Sequence, residues 1–333
     1  MHKYVKSFML VVFVFTLTIM QVTAAEPDLK QIIEKGMQKI GVKKGASDLL
    51  VITNAPYISM ENHFGIEYVL VLEQVTGCTT GGQNMMFFQR HPASPISITL
   101  FRKTTGDAVV MTWSHGKKIV EENINLAVSE VSEKKFWKDT KNFVCGPDLF
   151  TIATIAGSWT VGAPYDYFKC AEIHNHICPG VTSGYLIARM IQDNYPLKKE
   201  EKYTVISCPV WCKEDAFMAM LDTTPGKGGM IVKKLTDEQK QKISIDNPAA
   251  MLLITDKKTG IGRGIVFSFD FDKVKALVSK DSAKPAMTFA MLQYLDQPEK
   301  FVTVSSEFLL KKGMYEKMVT AGSNPYELAG LSR

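Results

Sequence analysis

Two imidazoles and a thiol fall at i, i+2 and i+4 in the run His174-Asn175-His176-Ile177-Cys178-Pro179-Gly180. Imidazole nitrogen and thiolate sulfur are the donors that borderline transition metals prefer, zinc first among them. Pro179 suits the first turn of a helix, where its missing N–H costs nothing. The cluster is therefore read as a loop feeding a helix N-terminus. That placement favours an ionised Cys178, because the helix dipole stabilises negative charge there. The competing reading is that these residues only pack or face solvent. With six Cys and six His in 333 residues, such clustering by chance is rare.

The other cysteines are Cys78, Cys145, Cys170, Cys208 and Cys212. Cys208 and Cys212 bracket Pro209-Val210-Trp211 as C-x3-C, which is neither the thioredoxin-like nor the zinc-knuckle spacing. An even number of cysteines in an exported protein suggests disulfides. A chain of this length does not need them, so that point stays open.

Export is expected from the first residues. Met1-His2-Lys3-Tyr4-Val5-Lys6 is basic, Phe8 to Met20 is apolar, and Val22-Thr23-Ala24-Ala25 supplies small residues before Glu26-Pro27-Asp28. These are the parts of a secretory signal peptide. The apolar run is short for a membrane span, although an uncleaved anchor is the alternative. The mature protein is read as periplasmic or extracellular, with no stable membrane span once the leader is cut.

The elements that must position the cluster follow from apolar spacing. Leu29, Ile32, Ile33, Met37 and Ile40 give a helix. Leu49–Ile52 reads as a buried strand, residues 61–74 as a helix, and Ile96–Arg102 with Ala108–Trp113 as a hairpin across Lys103-Thr104-Thr105-Gly106. The same order then recurs. Tyr203–Ser207 is a strand, Lys213–Leu221 a helix, Thr223–Gly229 a glycine-rich loop, and Met251–Thr255 with Gly264–Phe269 strands around Lys257-Lys258-Thr259-Gly260. The pattern implies an internal duplication with duplicated domains rather than a solenoid. The fold class is α+β, with two related repeats of mixed or antiparallel sheet. The divisions are 1–25 (leader), 26–147 (a degenerate repeat with only His63 and Cys78 near comparable places), 148–280 (the metal-binding repeat) and 281–333. The last stretch is read as a tail with helices at Met287–Leu295 and Ser306–Thr320, packed on the second repeat.

Apolar content of 46% and charged content of 22% belong to an ordinary globular protein with a real core. Loss of Lys3 and Lys6 with the leader takes the formal charge from +5 to +3. That is too little to argue for nucleic acid or an anionic membrane as partner. A metal ion or small-molecule ligand remains, and a homo-oligomer is open.

The stretch Glu172 to Tyr185 resembles the signature of the FmdE family, which takes its name from the formylmethanofuran dehydrogenase operon. Cys212-Lys213-Glu214-Asp215-Ala216 is similar to that family's second segment, a Cys before Asp-Ala at a helix start. Thr224-Pro225-Gly226-Lys227-Gly228 is similar to its Thr-x-Gly-Lys-Gly loop. The resemblance covers about residues 165–269. It implies an α+β fold with a mixed sheet and a metal pocket, commonly zinc. The export signal and the lack of a C-terminal C-x2-C ribbon depart from other members and argue against a role in methanogenic carbon metabolism.

Carried over residue by residue, the metal ligands are His176 and Cys178 with Cys212 converging, and His174 as fourth ligand or as a base beside an open position. Asp215 and Glu172 are candidates for orienting an imidazole; the alternative for Asp215 is helix capping. Cys208 and Cys170 are read as pocket thiols, a disulfide pair or core. Lys227 departs from the P-loop pattern, since Gly228 stands where Ser or Thr would be needed. It is read as a solvent-facing lysine, with contact to an anionic ligand the alternative. Tyr165, Tyr167 and Trp211 are read as ordinary aromatics rather than pocket walls.

The function that follows is an exported zinc-binding protein, engaged in handling a metal or metallocofactor. Three rivals stand beside it: a metal-dependent enzyme acting on a small substrate, a thiol–disulfide redox protein, and a non-covalent haem or corrinoid binder. The exported protein is expected to begin near Ala25 or Glu26, which N-terminal sequencing checks. Intact Met1 in a membrane fraction would establish the anchor instead.

Overall fold

The structure is a computed structural model that describes residues 27–60, 63–114, 117–138 and 143–333. The expected leader lies outside the described residues. The first half begins with α1 (Pro27–Lys39), β1 (Leu49–Thr53), α2 (Ile66–Thr76) and β2 (Met85–Phe87). It continues with β3 (Ile96–Arg102), β4 (Asp107–Trp113) and β5 (Val120–Asn125). Three helices follow: α3 (Leu149–Thr160), α4 (Tyr165–His174) and α5 (Pro179–Asn194). The second half comprises β6 (Glu201–Ser207), α6 (Lys213–Leu221), β7 (Met230–Val232), β8 (Pro248–Asp256) and β9 (Gly262–Phe269). It closes with α7 (Lys284–Leu292), β10 (Val302–Leu310) and α8 (Met314–Val319). Among the described residues no helix is long and apolar enough to cross a membrane.

The two five-stranded mixed sheets share one strand order. The first runs β2-β1-β3-β4-β5 and the second β7-β6-β8-β9-β10. In each, the opening strand pairs in parallel with the short strand that follows its helix, with Val51 opposite Met85 and Val205 opposite Met230. In each, the remaining pairings are antiparallel. The fold is therefore α+β, built from two similar sheet units.

Both sheets are covered on both faces, which is why their central strands read as continuous apolar runs rather than alternating ones. Leu49 and Val51 of β1 pack with Leu29, Ile33 and Met37 of α1 and with Leu72 of α2. Leu50 and Ile52 face the other way, onto Leu149, Ile152 and Ala156 of α3. In the second sheet Val205 faces α5, while Ile206 packs on the opposite side with Met251, Leu253 and Tyr326. The helices α3, α4 and α5 thus lie between the sheets. α5 contributes Val181 and Tyr185 to the first core and Leu186, Ile187 and Ile191 to the second. A helix used on both sides must be apolar nearly all round, as α5 is over residues 181–191.

Most sequence expectations find their elements within a few residues. One does not: Ser306–Thr320 is strand as far as Leu310, and helix only over Met314–Val319. β10 pairs with β9 along its whole length, so the tail completes the second sheet rather than merely packing on it. Its sequence, Val302-Thr303-Val304-Ser305-Ser306, is β-branched and serine-rich, which disfavours helix. Phe308 also needs a strand opposite it, because its ring fills the space left by Gly264.

α5 and α6 approach closely at Gly184. A methyl group there would lie 2.4 Å from the carbonyl oxygen of Lys213 and 2.7 Å from its Cα. Gly184→Ala is expected to lower unfolding free energy by about 1–3 kcal/mol in denaturant titration, the usual cost of overpacking. Gly226→Ala, with nothing within 4 Å of the added methyl, should change it by less than about 0.5 kcal/mol.

Candidate metal centre

α4 ends at His174, and Asn175 turns the chain in the left-handed region at φ 62°. Asn tolerates this better than most residues, because its short polar side chain can bond locally; here its Oδ1 lies 3.0 Å from Nδ1 of His176. Ile177 is buried, and its N–H donates to Thr154 Oγ1 at 3.2 Å, which ties the turn to α3. Cys178 is the extended N-cap residue of α5, with Pro179 in the first turn as the sequence implied. Cys212 occupies the equivalent N-cap place on α6. Two helix N-termini therefore point at the same two sulfurs, and both dipoles favour negative charge there. Gly180 makes this possible: a methyl group at that position would sit 3.0 Å from Cβ and 3.3 Å from Sγ of Cys212.

One donor atom each from His174, Cys178 and Cys212 lies within 4.8 Å of the other two. His174 Nε2 is 3.9 Å from Cys178 Sγ. Its Nδ1 is 2.5 Å from Asp215 Oδ2, in the first turn of α6. A carboxylate on the far nitrogen fixes ring orientation and leaves Nε2 to face the sulfurs, as it does behind many metal-bound histidines. All six cysteines are free thiols.

The electrostatics follow from these contacts. The Cys178–Cys212 hydrogen bond lowers the Cys178 thiol against its burial, helped by the N–H groups of Val181 and Gly180. The same bond raises Cys212, with His174 pulling the other way. Of the two, Cys178 is the thiol made easier to ionise and Cys212 the one made harder. Burial disfavours a charged His174, yet Asp215 and Cys212 outweigh it and push its pKa up to about 9. Burial and the neighbouring His174 push His176 down to about 4.

The structure brings some of the residues expected from sequence together and leaves others apart. His176, a first choice as ligand, is outside the three-residue group. Its ring centroid is 4.3 Å from that of His174, and it packs edge-on against Phe150. Asn175 and Phe150 hold it there, which spacing alone does not reveal. Asp215 is where an orienting carboxylate should be. Glu172 is not: its carboxylate binds the Tyr57 hydroxyl and Lys169 Nζ, away from both imidazoles. Cys208 is buried on the far face of the second sheet, with Leu235 and Met251. Lys227 is exposed and paired with Asp222. Cys170 is buried, with its Sγ 3.8 Å from the Asp166 carbonyl oxygen, and Cys78 lies in the outer core of the first half. Tyr167 is core, whereas Trp211 does border the centre, against Gly180.

Sequence reasoning missed Lys213. This lysine is fully buried at the first position of α6, directly after the C-x3-C pair. Its Nζ donates to Pro209 O at 2.6 Å, pairs with Glu214 and lies 3.8 Å from the centre of the Trp211 ring. Glu214 in turn accepts from the Trp211 N–H at 3.1 Å and from the Ser207 hydroxyl. The loop that presents Cys212 is thus gripped from inside. The available signal was Gly180 and Gly184, four apart on one helical face, which marks a close crossing.

An α+β protein with a histidine and two cysteines converging at two helix N-termini has the donor set of a transition-metal protein. Residues 173–303 match the model of the FmdE family, "FmdE, Molybdenum formylmethanofuran dehydrogenase operon". The match begins beside His174, covers Cys178 and Cys212, and runs into β10. No curated protein matches this chain.

In metal-stripped protein the His174 contribution to stability has a defined sign. Its folded pKa is raised from 6.5 to about 9, so the contribution is full below pH 6.5 and lost as pH rises through about 9. Cys178, held down to about 6, acts with the opposite sign over the same window, so the His174 contribution is read as a difference: the stability advantage of the native chain over Asp215→Asn, measured by denaturant titration, should shrink as pH rises from 6.5 to about 9.

Proposed function

We propose that His174, Cys178 and Cys212 hold a zinc ion, with a fourth position open to water or a small ligand, in an exported protein that handles a metal or metallocofactor. The observation that carries this reading is the convergence of the three donor atoms within 4.8 Å of one another. Tetrahedral zinc at about 2.3 Å from sulfur draws two thiolates to about 3.8 Å, so closure needs shifts of about an ångström. The donor set suits zinc: two soft anionic sulfurs, one of them already favoured as thiolate, and an imidazole whose other nitrogen is held. Three protein ligands plus an exchangeable position describe a site that can pass on or act through its metal, where four would close it. His176, with its ring centroid 4.3 Å from that of His174, is the neighbouring residue able to add a ligand or accept a proton. The leader read from Lys3 to Ala25 supports work outside the cytoplasm.

Cys178→Ser removes the thiolate at the α5 N-cap. Elemental analysis should find zinc falling from about one per chain to near zero, while Cys78→Ser leaves it unchanged. Alkylation separates metal handling from thiol redox work. Cys178 should react slowly in the holo protein and fast after chelation. If it reacts only after a reductant, whatever the chelator does, a Cys178–Cys212 disulfide is the working state and the zinc reading fails.

A further inference from the structure

On the far face of the second sheet lies a cavity of about 690 Å³. It opens between the Cys208–Val210 loop, the end of β7 and the segment 233–248. Its volume is within the range of pockets that enclose small-molecule ligands. The wall is mainly apolar, with Val210, Val232, Leu235 and Ile245 among its residues. Val210 and Val232 keep 49% and 57% of their surface exposed, so the mouth offers uncovered apolar area.

Three lysines, Lys233, Lys234 and Lys240, also line it, and no carboxylate does. Lys234 and Lys240 are the exposed charges of the rim, whereas the Lys233 ammonium is taken up by the 320–323 segment, which does not line the cavity. Lys233 is buried, and its ammonium is held by neutral oxygens: the Thr320 carbonyl, the Ser323 carbonyl at 3.3 Å and Ser323 Oγ at 2.8 Å. No acidic group among the described residues pairs with it, so its field is not cancelled locally. Lys240 does meet Asp237 at 2.7 Å, but both are exposed and such pairs are weak. An apolar chamber with lysines and no carboxylate on its wall favours an anionic head group over a cationic one.

We propose that this cavity binds a small amphipathic anion, an apolar body carrying one carboxylate. The body lies on Val232, Leu235 and Ile245, and the carboxylate meets the lysine rim. The site is separate from the His174–Cys178–Cys212 centre and does not depend on it.

The test uses the full chain with the fluorescent amphipathic anion 1-anilinonaphthalene-8-sulfonate as reporter, displaced in turn by decanoate, decanol and decyltrimethylammonium. Decanoate should displace it at concentrations about tenfold below those needed for decanol, the worth of a charge-assisted contact. Decyltrimethylammonium should not displace it. Lys234→Glu and Lys240→Glu, both at exposed positions, should each weaken decanoate about tenfold with melting temperature and metal content unchanged. Equal competition by decanol and decanoate, displacement by the cation, or unaltered decanoate binding in both variants would overturn the proposal. Metal content read in the same samples keeps this outcome distinct from failure of the zinc reading.

Discussion

The arrangement depends on one close approach: the N-termini of α5 and α6 meet where α5 presents glycine. Glycine at 180 and 184 removes the Cβ atoms that would hold the helices apart. Everything at the centre follows from that contact. Cys178 and Cys212 come to face each other only because both occupy N-cap positions at the crossing. The Cys178 sulfur then meets the N–H groups of Gly180 and Val181, and the positive ends of two helices act on the pair. Asp215, in the first turn of α6, reaches His174 for the same reason. A slightly wider crossing would leave two isolated cysteines and an ordinary surface histidine.

That crossing needs a rigid approach to α6, and the buried Lys213–Glu214 pair provides it. A buried ion pair is a weak source of net stability, because both charges lose their water. It is, however, costly to break from one side, at about 3–5 kcal/mol. Here the pair reaches the Pro209 carbonyl, the Trp211 N–H, the Trp211 ring and the Ser207 hydroxyl together. Any shift of residues 207–212 disturbs several of these contacts at once. The charge pair thus trades burial for a loop of single conformation, which fixes the thiol at its end against Cys178 and His174.

The sequence announces its elements where one physical signal dominates. β1 and β6 are apolar runs buried on both faces, α1 has helical spacing, and Pro179 marks the start of α5. The donor types are legible too, since few alternatives explain His174, His176 and Cys178 so close together. Their assignment is not. His174 and His176 differ only in which neighbour each finds, and those neighbours, Asp215 and Phe150, come from distant segments. The same limit hides Lys213, because a lysine beside a glutamate usually sits on a solvated face. In β10 the serines and threonines obscure the strand signal, while the partner that fixes it, Gly264 under Phe308, is a tertiary contact.

The first half carries the same sheet, with no comparable donor group among its described residues, and its contacts show what it does instead. Where the second half follows β6 with Cys208, Pro209 and the buried lysine clamp, the first follows β1 with Asn54. That side chain accepts from the Ser97 N–H at 2.8 Å and donates to the Pro95 carbonyl at 2.9 Å. This loop delivers Tyr57, whose hydroxyl donates to Glu172, while the Gln89 N–H beyond β2 donates to the Glu172 carbonyl at 3.2 Å. Arg90 adds a 2.6 Å pair with Asp148 at the start of α3, and Gln83 O accepts from the Trp159 indole at its end. These contacts fall on α3 and on the last turn of α4, two residues before His174. The first sheet is therefore a wall against which the histidine side of the centre is braced, as the Lys213 clamp braces the cysteine side. Glu172 does serve the centre, but by fixing the helix that carries His174 rather than by touching an imidazole. A donor group with one member at a helix C-terminus and two at helix N-termini converges only when all three ends are held, and the two halves divide that work between them.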